Sequence, residues 1–141
     1  MMTPIENLHY AIGELAYAVA RVDGKVQEQE RRKFQEIVEN ELNLGDPDFD
    51  VSEIIFRIME KDQPDVETTY RWAIKQIRTN SHYLSPMLKQ TFINVLEKMA
   101  EAYPPVTNDE KKLIDRFRED IADLHGDPVY YEATEKSHVE T

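Results

Sequence analysis

Most of the chemistry open to this chain would run through carboxylates. Asp23 stands before Gly24, with Glu28 and Glu30 shortly after. Oxygen ligands gathered in a short acidic loop suit a hard divalent cation such as calcium, magnesium or manganese. The same residues also suit plain architecture. Asp23 can stabilise a turn, and a Glu at a helix start offsets the partial positive charge of the unpaired backbone N–H groups. That charge disfavours a cation at the same place, so the two readings compete. Asp109 and Glu110, after Asn108, are the late counterpart, again either metal ligands or first-turn acids. Asp46, Asp48 and Asp50 are spaced like the opening of an EF-hand loop. Val51 stands where that loop needs Gly, however, and Arg57 where it needs a bidentate Glu, so a helix-capping loop is expected there.

Other chemistries lack their parts. His9, His82, His125 and His138 include no pair at ligand spacing, and they are expected at the surface or partly packed. No Gly-rich phosphate loop and no nucleophile elbow is present. Cysteine is absent, which removes disulfides, thiolate metal sites and Cys nucleophiles. A non-enzymatic role is the expectation. Seventeen basic residues face twenty-eight acidic ones, for a net charge of -11, and the longest basic cluster, Arg31-Arg32-Lys33, is surrounded by acids. Such a surface repels phosphate backbones, so nucleic acid is not an expected partner. The N-terminal residues lack a basic region followed by an apolar run, and no stretch is long and apolar enough for membrane insertion, so a cytoplasmic location is expected. A protein partner is the remaining class, and Trp72 is the candidate contact because it falls off the apolar stripe of its own helix.

Local signals set out the elements that must position these groups. Thr3, Pro4 and Glu6 form a helix start with a capping box, followed by Ile5, Leu8, Ile12, Leu15, Val19 and Val22 as one apolar stripe. Gly13 interrupts it and is expected to weaken the helix by about 1 kcal/mol relative to Ala. Asp23-Gly24 ends it. A second helix is predicted from Gln27 to Leu42 on Phe34, Ile37 and Val38. A third is capped by Asp50, with Ile54, Ile55, Ile58 and Met59 as its face. Gln63-Pro64-Asp65 breaks the chain, and a fourth helix carries Val66, Tyr70, Ala73, Ile74 and Ile77. Ser85-Pro86 opens a fifth over Leu88, Phe92, Val95, Leu96 and Met99, stopped by Tyr103-Pro104-Pro105. Thr107 and Glu110 box the sixth, with Leu113, Ile114, Phe117, Ile121 and Leu124 inside and Gly126 at its end. These signals agree on an all-α, compact bundle of about six to seven helices over residues 4–126, followed by a polar C-terminal tail over 127–141. Val129, Tyr130 and Tyr131 are the tail residues able to pack onto the body.

An ungapped offset links two stretches of the chain. Ala20, Val26 and Glu30 align with Ala100, Val106 and Glu110, while Phe34 and Ile37 align with Ile114 and Phe117. The shared pattern is a helix that stops, a Val tucked in from the loop and a Glu opening the next helix. It predicts two pseudo-symmetric helical hairpin halves, although capping alone can produce such likeness.

The stretch from Ala16 through Asp23-Gly24-Lys25-Val26, followed by Glu30, resembles the TerB-like domains of bacterial tellurite-resistance proteins and of a membrane-anchored DnaJ-like co-chaperone. The resemblance runs from about Ile5 to Leu124. It implies an all-helical fold of two related halves and a non-enzymatic protein-interaction module in a stress or tellurite-resistance context. The alternative it implies is a divalent-cation sensor using the acidic Asp-Gly loop. Tyr103-Pro104-Pro105 departs from the pattern in the second half, which puts in doubt any property needing two equivalent acidic loops.

Overall fold

The computed structural model describes residues 2–22, 24, 28–41, 48–102 and 105–132, with the backbone alone at 28–31 and 48–50. Its elements are α1 (Pro4–Arg21), α2 (Glu28–Glu41), α3 (Asp48–Asp62), α4 (Val66–Thr79), a 3-10 turn (Ser81–Tyr83), α5 (Pro86–Glu101) and α6 (Asn108–Ile121). The described residues contain no strand, and the chain is an all-helical bundle.

Local capping sets several starts as the sequence requires. The Thr3 hydroxyl accepts from the Glu6 N–H at 3.1 Å, and the Glu6 carboxylate accepts from the Thr3 N–H at 2.9 Å. Ser85 accepts from the Leu88 N–H at 3.0 Å, with Pro86 in the first turn. Asp65 caps α4 by accepting from the Thr68 N–H at 2.9 Å. Between α3 and α4 the chain reverses through Gln63, whose φ of 54° is left-handed. One start and one end differ from expectation. The third helix begins at Asp48, so Asp50 lies inside its first turn instead of capping it. The sixth helix ends at Ile121. Gly126 has another job, because a Cβ there would lie 2.4 Å from the Leu84 carbonyl oxygen. The missing side chain lets the chain after α6 cross closely over Leu84 and carries residues 128–132 into a short helical turn. Tyr130 of that turn packs against His82 and Tyr83, with ring centroids 5.6 and 5.1 Å apart.

α1 is the axis of the bundle, packed against α3, α4, α5 and α6. It is buried on every side from Ala11 to Ala20, not only along one stripe. Small residues make this feasible. Ala11, Gly13, Ala16, Ala18 and Ala20 let neighbouring helices approach its backbone. At Gly13 an ideal Cβ would fall 2.6 Å from the Ser52 carbonyl oxygen, so the glycine is a packing requirement of the α1–α3 contact. Phe34 and Phe56 stack at 4.6 Å between α2 and α3. This pairing rotates α3 away from the expected face: Ser52, Ile55 and Phe56 are buried, while Ile54 and Ile58 are 51% and 42% exposed. His9 is also corrected. It is buried at 3% exposure, its Nδ1 2.9 Å from the Ile5 carbonyl and its ring edge-on to Phe92.

Candidate functional site

Asp23 lies outside the described residues, and so do the side chains of Glu28 and Glu30, whose backbones begin α2. The late counterpart is described. The Glu110 carboxylate accepts from both the Thr107 N–H and the Thr107 hydroxyl at 3.0 Å, and the Thr107 hydroxyl accepts in turn from the Glu110 N–H at 3.1 Å. That reciprocal cap occupies a buried carboxylate, while Asp109 points outward. One exposed carboxylate is too few for calcium, which takes about six to eight oxygens. Among the described residues no group of three or more His, Asp or Glu side chains could hold a metal ion. Because Thr107 serves the α6 start, Thr107→Ala is expected to cost about 1 kcal/mol in urea unfolding. A loss well below that would show the box to be dispensable.

The more distinctive arrangement forms where α1 meets α4. Trp72 projects from α4 at 59% exposure, off the buried line of Tyr70, Ala73 and Ile77, as its position in the sequence requires. Beside it opens a recess of about 430 Å³ lined by Asn7, Tyr10 and Glu14 from α1 and by Trp72, Lys75, Gln76, Thr79 and Asn80 from α4 and its end. Glu14 is the unusual member. It is 6% exposed, and its Oε1 has no hydrogen-bond partner among the described residues. Burial pushes its carboxyl up to about 7 from an ordinary 4.5. Its charge in turn adds to burial in raising the neighbouring Tyr10 hydroxyl. A carboxyl poised near neutrality at the floor of an open recess is the kind of group found at functional sites. The Lys75 ammonium lies over the Trp72 ring, 5.6 Å from its centroid, and closes one side of the mouth.

Glu14 was not among the residues expected to act. A signal for it does exist in the sequence. Between Tyr10 and Ala20 it is the one charged residue, on a helix whose small residues announce close packing on all sides.

The far side of α4 is held by α6. Arg116 donates to both Glu67 carboxylate oxygens, at 2.6 and 2.9 Å, and lies 4.1 Å from the Tyr70 ring centroid. The Tyr70 hydroxyl donates to Asp120 at 2.5 Å. The Arg116 hydrogen bonds hold the Glu67 carboxyl down at about 2. This pair is partly solvated, so its main effect is to fix the orientation of α4 and hence of Trp72.

An all-helical bundle built around a buried small-residue helix is the class that the fold defines. The sequence model of the family described as tellurite resistance protein TerB matches residues 9–124, and the chain belongs to that family. No curated protein and no solved structure matches at a significant level. No helix among the described residues is long and apolar enough to cross a membrane.

Proposed function

We propose that this TerB-family domain is a non-catalytic protein-binding module of a bacterial tellurite-resistance or stress system, acting in the cytoplasm and engaging its partner through the α1–α4 face. The observation that carries this reading is Trp72, a large aromatic 59% exposed at the rim of a polar recess. Tryptophan is enriched among the residues that anchor protein interfaces. The recess holds a single carboxylate, Glu14, where carboxylate-driven hydrolysis of the glycosidase kind uses two.

A photo-crosslinking amino acid placed at Thr79, on the recess, should trap a discrete protein adduct in cells. The same group at Lys112, exposed on α6, should not, and Trp72→Ala should abolish the Thr79 adduct. Equal trapping from both positions, or trapping that survives Trp72→Ala, would overturn the reading.

The competing reading is a cation sensor at Asp23-Gly24, supported by the acidic residues that follow in the sequence. The binding-module reading expects the melting temperature of EDTA-stripped protein to ignore calcium, magnesium and manganese. A sensor would gain about 2.7 kcal/mol at a hundred times its dissociation constant and lose that response in Asp23→Asn.

A further inference from the structure

We infer that the recess beside Trp72 receives the guanidinium of an arginine from a basic partner segment, with Glu14 as its buried counter-charge. This rests on the reading of the α1–α4 face as the binding surface and adds the chemistry of what binds there.

Glu14 Oε1 is the group in need of a partner. A buried acceptor with no donor carries an uncompensated desolvation cost, and an ionised carboxylate accepts without donating. What Glu14 Oε1 lacks among the described residues is therefore a donor in contact with it, and a charged one satisfies it best. Burial already holds the carboxyl near 7, so a cation brought against it recovers the interaction that solvent cannot supply. The walls then select among cations. Trp72 offers a flat aromatic face, on which a planar guanidinium stacks better than a compact ammonium. Asn80 donates its Nδ2 to the Gln76 carbonyl at 2.8 Å, which leaves its amide oxygen as an acceptor. Asn7 and Gln76 line the recess with amides that can turn an oxygen inward, so the five N–H donors of arginine have acceptors to meet besides Glu14. A cavity of about 430 Å³ has room for the side chain. At long range the net charge of -11 draws a basic segment toward the domain. Lys75, now over the Trp72 ring, occupies the same aromatic face and would have to swing aside, so it acts as a competitor for the incoming arginine.

The chain has one tryptophan, so Trp72 fluorescence reports the recess directly. The probes are N-acetyl-arginine amide, its neutral isostere N-acetyl-citrulline amide, and N-acetyl-aspartate amide. The arginine probe should change the fluorescence saturably, and the citrulline probe should bind roughly tenfold or more weakly. Glu14→Gln, confirmed folded by circular dichroism, should lose a comparable factor, while Lys75→Met should tighten binding. Equal binding of arginine and citrulline probes, or unchanged binding by Glu14→Gln, overturns the inference. Preferential binding of the aspartate probe also overturns it, and would mean that Lys75 makes the recess a receptor for acidic groups. If the Thr79 crosslink forms while the arginine probe fails, the inference falls alone and the binding-module reading stands. If the crosslink also fails, both fall.

Discussion

Glu14→Gln is expected to stabilise the domain by about 2–3 kcal/mol at about pH 8 and to change little at about pH 4. Below the ordinary carboxyl value of 4.5 the side chain is protonated in both the folded and the unfolded chain, so it makes no difference to their balance. As pH rises past 4.5 the unfolded chain releases this proton first, because only the folded form holds the carboxyl near 7. The folded state then binds more protons than the unfolded one, and stability falls with pH. The fall is complete once pH passes about 7, where both forms are ionised and the folded chain bears the full cost of a buried charge. Burial is the cause of this shift, and glutamine, which stays neutral, removes the pH dependence with it. Urea unfolding across this pH range reads the effect directly. Wild-type and variant curves that run parallel would show that the carboxylate is solvated when folded. A cationic partner of the kind inferred for the recess would offset that cost when bound.

Gly13→Ala is expected to destabilise by about 2 kcal/mol, against the ordinary helix preference, which alone would stabilise by about 1 kcal/mol. The new methyl carbon would meet the Ser52 carbonyl oxygen at 2.6 Å and the Ile55 Cβ at 3.1 Å. Neither is the far end of a flexible side chain, and Ser52 and Ile55 are themselves buried, so α1 and α3 must move apart. Separation loosens the contacts that hold the Phe34–Phe56 stack and the axis helix together. Chemical unfolding with an unchanged m-value should register the loss. A more stable alanine variant would mean that α3 can shift freely and that the glycine is only a weak point of the helix, as its sequence context alone suggests.

That contrast shows what local reading reaches. Thr3, Ser85 and Thr107 were legible because a cap joins residues three apart, so its chemistry is written in a few adjacent letters. Trp72 was legible for a related reason, since it breaks the apolar period of its own helix. Gly13, Ile54 and Ile58 were not, because their roles depend on which helix arrives from far along the chain. Ile54 and Ile58 lie on the expected apolar face and Phe56 does not, and the arrival of α1 at Ser52 and Ile55 and of Phe34 at Phe56 decides which side turns inward. Glu14 is the harder case. On a helix buried along one stripe, a Glu beside the stripe would point to water. α1 has no watery side over most of its length, so a side chain that the stripe alone would send to water is buried, and only the small residues around it hint at this.

The most direct test of this account is the pH titration of the Glu14 side-chain carboxyl carbon by 13C NMR in the intact domain. A midpoint near 7 is expected in the unliganded protein. A midpoint near 4.5, the value of a solvated glutamate, would contradict it, leaving Trp72 exposed beside a recess with no buried charge to receive a partner.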